Sequence, residues 1–395
     1  MSITLSKLSR SAPVRGSRDT VAEAICGLIS RGEIAPGHQM PTEEKLVAQF
    51  KVSRPTIRAA LDILETNGVI RKTANRARVV ADHKPADSMI SSTVVIVGQP
   101  IDASPTPSGS QGWWNFVQYG ATQALQSARL HRLLIDQDVL DAALCVQICR
   151  AKPRGIIVLR RATRDAAPLV KVAKDYGIPV IVQGNEPEFS AFDRVSSDHR
   201  RGCQMLTTWM ADQGCKRILR LWHLEAGTEQ SPLWLAERDA GYELACRERG
   251  IDPLPTVSPD RSVITGGSGA SRQAFEAYTR YWVGWLLEHL QTPNPVDGIL
   301  AISDGQTYSI AAACRLLGRV PGRDVIIAGY DNYWKDSLER QWESYTPPVT
   351  VDKNNVEVGR QLVDILLARG ENRLPPEPQH RVIEPSLVVN PSQSG

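Results

Sequence analysis

The sequence lacks any apolar run near the ~20 residues that a bilayer-spanning helix needs, so no membrane segment is expected. Residues 1–18 are polar and basic without an apolar centre, so no secretory signal is expected there. There is no CxxC pair. The seven cysteines (Cys26, Cys145, Cys149, Cys203, Cys215, Cys246 and Cys314) are scattered and odd in number, which argues against a disulfide framework and fits a reducing cytosol. Cys145 and Cys149 fall one helical turn apart and read as small buried residues, not metal ligands. The sequence has no HExxH and no GxSxG, and its glycine-rich stretch 266–269 lacks the Lys-Thr end of a phosphate loop. His199 beside Asp198 reads as an isolated surface histidine. No catalytic residue, metal or cofactor is therefore expected, and the chain is read as a non-enzyme. What is present is ordinary for a water-exposed fold, with 42% hydrophobic and 23% charged residues. A length of 395 residues implies two or three domains.

The net charge of +3 is unevenly divided. Residues 1–83 carry 13 Lys/Arg against 8 Asp/Glu, and the remainder 33 against 35. A basic head on a slightly acidic body points the head at a polyanion. In that head Val21, Ile25, Leu28 and Ile29 form one helical stripe, ended by Gly32 and Pro36-Gly37. Thr42 is placed to cap a second helix, with Glu43 and Glu44 in its first turn and Leu46, Val47 and Phe50 on its buried face. After a tight turn at Lys51-Val52, Ser53 caps a third helix that tolerates Pro55 in its first turn. Ile57, Ala60, Leu61 and Leu64 share one arc of it, and Arg54 and Arg58 stand one turn apart beside that arc. Two strands, 69–72 and 77–80, then flank a turn and form a small wing. Two helices joined by a tight turn, the second with cations at its start, suit a DNA major groove. Arg54 and Arg58 would reach base edges or phosphates, Thr56 would donate to either, and Arg76 and Arg78 on the wing would meet phosphate or the minor groove.

Residues 17–82 resemble the winged helix-turn-helix head of the GntR family. The resemblance rests on Ile34-Ala35-Pro36-Gly37, Met40-Pro41-Thr42-Glu43, the run from Val52 to Leu61, Leu64-Glu65 and Gly68-Val69-Ile70. It implies a DNA-contacting set of Thr42, Glu43, Ser53, Arg54, Thr56, Arg58, Arg76 and Arg78. Two departures stand out: Glu44 where the family usually has a basic residue, and Asn75 and Ala77 in place of the wing glycines.

Residues 1–16 read as a flexible basic arm and 83–92 as a linker. From 93 to 395 short apolar strands alternate with helices, the rhythm of parallel sheets covered on both faces. The strands are too many for one small sheet, so the expected α/β body has two lobes with a cleft at the carboxyl ends of their strands. The lobes are expected at about 93–196 with 352–371, and at about 197–351 with 372–395. Polar groups follow several strands: Asp136, Arg160, Asn185, Asp304 and Asp331. Carboxylates and guanidinium groups converging on a cleft suit a hydroxyl-rich ligand, and Trp113 and Trp114 would offer apolar faces to a sugar ring. Trp282 and Trp285, near Tyr278 and Leu286, read as core.

This body resembles the periplasmic-binding-protein-like, sugar-binding domain of LacI/GalR repressors. The carriers are Trp113-Trp114 shortly before Gly120, Val195-Ser196-Ser197-Asp198, Arg238-Asp239-Ala240-Gly241-Tyr242, Ala301-Ile302-Ser303-Asp304, Gly329-Tyr330-Asp331-Asn332 and Pro347-Pro348-Val349-Thr350-Val351. Carried over by position, the ligand contacts would be Trp113, Trp114, Arg238, Asp331, Ser303, Asp304 and Lys353, with Arg160 and Asn185 added from the strand ends. Gln183-Gly184-Asn185 replaces an Asp common in the family, and Lys353 a common Gln. A GntR-type head on a LacI-type body resembles the arabinose-repressor arrangement. It implies a cytoplasmic, homodimeric repressor of carbohydrate-use genes that leaves its double-stranded operator when a sugar fills the cleft, with no membrane partner. A regulator that takes a nucleobase or phosphorylated metabolite as co-repressor remains the alternative, and a carbohydrate-binding protein or enzyme without a DNA role is the more distant one.

Overall fold

The computed structural model describes residues 18–30, 32–66, 69–73, 77–81, 89–98, 112–159, 167–222, 232–258 and 271–390, with side chains left out at 30 and 112–115. The chain divides into two compact units, Met1–Ser88 and Met89–Gly395.

In the first unit, α1 (Arg18–Ser30), α2 (Glu43–Phe50) and α3 (Arg54–Thr66) precede a hairpin of β1 (Ile70–Lys72) and β2 (Arg78–Val80). Each helix buries the face its periodicity marks. Val21, Ile25 and Leu28 of α1, Leu46 and Phe50 of α2, and Ile57, Leu61 and Leu64 of α3 close one core, which Ile70 and Val80 seal from the wing side. Thr42 accepts from the Lys45 amide, and Lys51 ends α2 in the left-handed region at φ 56°. The hairpin pairs Ile70 with Val80 and Lys72 with Arg78, and the Thr73 amide donates to the Ala77 carbonyl across its neck.

The second unit is built on two sheets. The first runs in the order β12-β7-β6-β5-β3-β4 and the second β13-β11-β10-β9-β8. The chain lays down β3 (Thr93–Gly98), α4 (Gly112–Ser127), β4 (His131–Asp136), α5 (Ala142–Arg150), β5 (Gly155–Val158), α6 (Ala167–Asp175), β6 (Val180–Gln183) and β7 (Asp193–Ser197) in lobe 1. It then crosses to lobe 2 for α7 (His199–Asp212), β8 (Ile218–Leu221), α8 (Leu233–Arg249), α9 (Arg272–Leu290), β9 (Gly298–Ala301), α10 (Asp304–Leu316), β10 (Ile326–Tyr330) and β11 (Val349–Asp352). It returns for α11 (Asn355–Gly370) and β12 (His380–Ile383), and crosses once more into β13 (Ser386–Val389). All described pairings in this unit are parallel except β13 against β11. Parallel strands covered on both faces need apolar side chains throughout, and β3, β5, β8 and β9 are buried at every residue.

Two expectations change here. The segment 372–395 does not fall wholly to lobe 2, because His380–Ile383 pairs in parallel with β7 as the edge strand of lobe 1. The Arg369 guanidinium and the Gln379 amide both hold Asp193 at the end of that edge. Trp282 is core, donating to Ser309, but Trp285 is 41% exposed. The paired cysteines Cys145 and Cys149 are buried and unbridged.

Glycine sets how closely helices cross. A Cβ at Gly359 of α11 would lie 2.0 Å from the Val117 carbonyl oxygen of α4, and one at Gly120 would lie 2.0 Å from that of Val356. In lobe 2, a Cβ on Gly241 of α8 would lie 2.1 Å from the Arg200 carbonyl oxygen of α7.

The three crossing strands are tied to one another. Ser197 donates to the Lys353 carbonyl at 3.2 Å, and the Asn354 side chain donates to the Glu384 carbonyl at 2.6 Å. Asp352 accepts from the Asn354 amide and from the Asn332 side chain. This hinge holds together the ends of both sheets.

Candidate functional sites

In the head, Glu43 at the start of α2 is the hub of the basic face. Its carboxylate accepts from Nε of Arg54 and Nε of Arg58, each at 3.0 Å, and Arg78 Nη1 lies 3.5 Å away. The Arg54 hydrogen bond, with that of Arg58 and both positive charges, holds the Glu43 carboxyl below its usual range. Because Nε faces Glu43, the terminal nitrogens of Arg54 and Arg58 are left to point outward, and their side chains are 55% and 59% exposed. Such a fork suits a guanine edge or a phosphate. Ser53 Oγ accepts from the Thr56 amide at 3.3 Å and shares a hydrogen bond with its hydroxyl at 2.7 Å, which fixes the first turn of α3. Thr42 is exposed beside it.

Arg78 corrects the sequence reading. Its side chain is only 17% exposed, with Asp62 at 2.7 Å and Glu65 at 3.5 Å. It clamps β2 to α3 and is not an outward wing contact. Arg76 lies outside the described residues.

In the body, a cavity of ≈ 30 Å³ that opens to solvent is lined from both lobes and from the hinge. Lobe 1 contributes Gln183, Asn185 and Glu186, lobe 2 contributes His199, Trp234 and Glu237, and the hinge contributes Ser197, Lys353 and Asn355. The Asn185 side chain donates to Glu237 at 3.2 Å across the lobes. Gly184, at φ 137°, leaves no room for a Cβ beside the Glu186 carboxylate, so the turn after β6 requires glycine there. His199 is not the surface residue its sequence neighbours suggested. It is buried, with its ring 5.9 Å from that of Trp234.

The predicted residues divide. Asn185 and Lys353 line the cavity. Asp331 meets Lys353 at 2.6 Å, both side chains almost wholly buried, in a backbone bend at φ 89°. Arg238 is buried, donating to the Ile302 carbonyl at 2.8 Å with its guanidinium 3.5 Å over the Tyr330 ring and 4.7 Å over that of Trp234, which lines the cavity. Ser303 precedes α10 and bonds with Tyr333. Asp304 is a correction: it is fully buried and both oxygens are in use. Oδ2 accepts from the Tyr333 and Trp334 amides and Oδ1 from the Thr350 hydroxyl, which makes it an internal anchor and not a ligand contact. Burial raises its pKa to about 8. Trp113 and Trp114 lie at the start of α4 with side chains outside the described set, as is all of Arg160. Trp234, Glu237 and Asn355 were not foreseen. Trp234 sits in the first turn of α8, where a strand-end rule does not look, and the long chain segment before it hides the turn.

Residues 17–80 match the family described as bacterial regulatory proteins, gntR family, and residues 208–392 match the periplasmic binding protein-like domain. Among curated proteins, the HTH-type transcriptional repressor NanR of Klebsiella aerogenes is 39% identical over 74 residues, 18% of this chain. The chain spans 28% of the length of that relative. Among solved structures, the transcriptional regulator CelR in complex with cellobiose superposes with a TM-score of 0.56 at 19% identity, covering 89% of this chain and 99% of that one. A LacI-family regulatory protein from Chloroflexus aggregans gives 0.58 at 19% identity, covering 76% and 98%. The chain joins a gntR-type helix-turn-helix head to a periplasmic-binding-protein-like body with the fold of LacI-family regulators.

Proposed function

We propose that the chain is a transcriptional repressor of carbohydrate-use genes, released from its operator by a sugar held between the lobes. The observation that carries this reading is the cavity lined from both lobes and the hinge, in one chain with a head whose exposed arginines are pre-set by Glu43. At ≈ 30 Å³ the cavity is narrow, so entry of a sugar requires the lobes to part about the hinge. Aromatic rings on one wall and amides and carboxylates on the other suit a polyhydroxylated ring. The repressor activity of NanR and the cellobiose bound to CelR are the precedents for the two halves.

A sugar that contacts residues of both lobes stabilises the closed state by its differential affinity for that state. Lys353 and Ser197 belong to the hinge itself, so closure acts directly on the crossing strands. A two-fold operator calls for two heads, and Tyr119 of α4 with Leu133 of β4 gives lobe 1 exposed apolar groups for a second copy. No helix among the described residues is long and apolar enough to cross a membrane.

The test is footprinting of the purified protein on its own upstream DNA, with and without a sugar panel. Protection lost on adding one sugar supports the reading, and recovery of that sugar unchanged distinguishes a sensor from an enzyme. Absence of any protected site overturns it.

A further inference from the structure

Resting on the reading of the head as the part that grips the operator, we propose that Arg78 is a positioning residue for base recognition: without touching the duplex itself, it aims Arg54 and Arg58 by fixing the carboxylate of Glu43. The two oxygens of that carboxylate have different surroundings. Oε2 accepts from Nε of Arg54 and Nε of Arg58, each at 3.0 Å. Oε1 accepts from the same Arg58 nitrogen at 3.2 Å and lies 3.5 Å from Nη1 of Arg78, which reaches it from the wing. The terminal torsion of a glutamate is soft. A carboxylate held only by Arg54 and Arg58, whose side chains are more than half exposed, would turn with them. Arg78 is not free to follow. Its Nη2 donates to Asp62 at 2.7 Å and its Nε to Glu65 at 3.5 Å.

Charge explains why a third arginine is tolerated there. Two guanidinium groups on one carboxylate leave an excess of positive charge, and a third would repel them. Asp62 and Glu65 of α3 offset the charge of Arg78. Lys72, its partner across the hairpin, takes up Glu65 at 3.0 Å. The planar guanidinium presents its three nitrogens to three carboxylates, so one side chain of β2 links α2 and α3. A bidentate hydrogen bond to a guanine edge depends on the direction of the arginine, whereas attraction to phosphate depends mainly on its charge. Loss of Arg78 should therefore appear in the preference among bases more than in the affinity for DNA in general.

The experiment selects a preferred site for the full chain from a pool of random duplexes, then measures affinity for every single-base-pair variant of that site. Circular dichroism at the assay temperature checks that each protein variant is folded. Arg78→Met, similar in length but uncharged, should flatten the preference at least fivefold at the base pairs where Arg58→Ala does. In the Arg58→Ala background it should change those positions less than twofold, since their reader is already gone. Arg78→Lys guards the fold by keeping a cation against Asp62, but one ammonium does not span three carboxylates, so it should lose preference at the same positions. The double variant Asp62→Asn/Glu65→Gln removes the clamp on α3 and leaves Glu43 in place. It should melt lower yet keep its base preference within twofold. Preference kept by both Arg78 variants, or an equal loss of affinity for all duplexes, overturns the inference and leaves the head as the DNA-binding part. The same flattening in Asp62→Asn/Glu65→Gln assigns the effect to the clamp alone and also overturns it. Failure of the parent protein to select any site removes the reading of the head together with the inference.

Discussion

At the scale of single residues, similar side chains do opposite work. Arg54 and Arg58 face outward from Glu43, whereas Arg78 is held inward by Asp62 and Glu65. Replacing Arg58 with Ala should weaken specific operator binding by about 1–3 kcal/mol, read by footprinting titration, with little change in melting temperature. Arg78→Ala should do the reverse first: it removes the guanidinium that ties β2 to Asp62 and Glu65 of α3 and to Glu43 of α2, so the melting transition of the head should fall. Asp304 gives a pH prediction. Its pKa rises on folding from an ordinary carboxylate value to about 8, so the folded state holds the proton more firmly. Its contribution to stability is complete below the unfolded pKa near 4 and is lost as pH climbs toward 8. Melting temperature should therefore drop between pH 5 and 8, and Asp304→Asn should flatten that slope while keeping an acceptor for the Tyr333 and Trp334 amides. The sequence made Asp304 visible as a strand-end carboxylate, but the two amides that saturate it come from a bend some thirty residues later. No local pattern announces them.

Among the elements, periodicity reveals most where a face is one-sided. The stripes of α1, α2 and α3 fall on the buried faces of their helices, and β3, β5 and β9 are short apolar strands of the kind expected in the body. Elements with mixed faces were harder to read. β7 is Asp193–Ser197, with a buried aspartate at its head, and β12 is His380–Ile383, half exposed. Neither has the apolar run that marks a strand, because each lies toward the edge of lobe 1 and is completed by Arg369 and its hydrogen bonds. The close crossing of α4 and α11 was also invisible, since a glycine in a helix reads as a weakness until its neighbour is known. Gly359→Val would drive a side chain into the Val117 carbonyl. It should cost at least the 1–3 kcal/mol typical of overpacking, seen as a lower denaturation midpoint with the slope unchanged.

For the whole molecule, the proposed function makes two binding events one coupled equilibrium. A hundredfold drop in operator affinity on adding effector needs about 2.7 kcal/mol of coupling. By reciprocity, operator DNA should weaken effector binding by the same factor, which calorimetry with and without the duplex would measure. Trp234→Ala should abolish the response to effector while leaving operator affinity in its absence near that of the parent. Phosphate contacts by Arg54 and Arg58 on each of two heads predict a steep fall in affinity with salt, and a shallower one in Arg58→Ala. The two-lobed plan was legible from the excess of strands. The cavity lining was only partly so, because residues meet there from α8, from the hinge and from the turn after β6, which are far apart in the chain.

The order in which the chain supplies its parts has a consequence for its birth. The head is contiguous and ends by residue 81, whereas lobe 1 lacks α11 and β12 until residues 355–383 are made, and lobe 2 lacks its last strand until 386–389. A ribosome that has released residue 350 has therefore delivered one finished domain and two open halves. The head can therefore fold while both lobes of the body still wait for strands and a helix encoded more than 250 residues later.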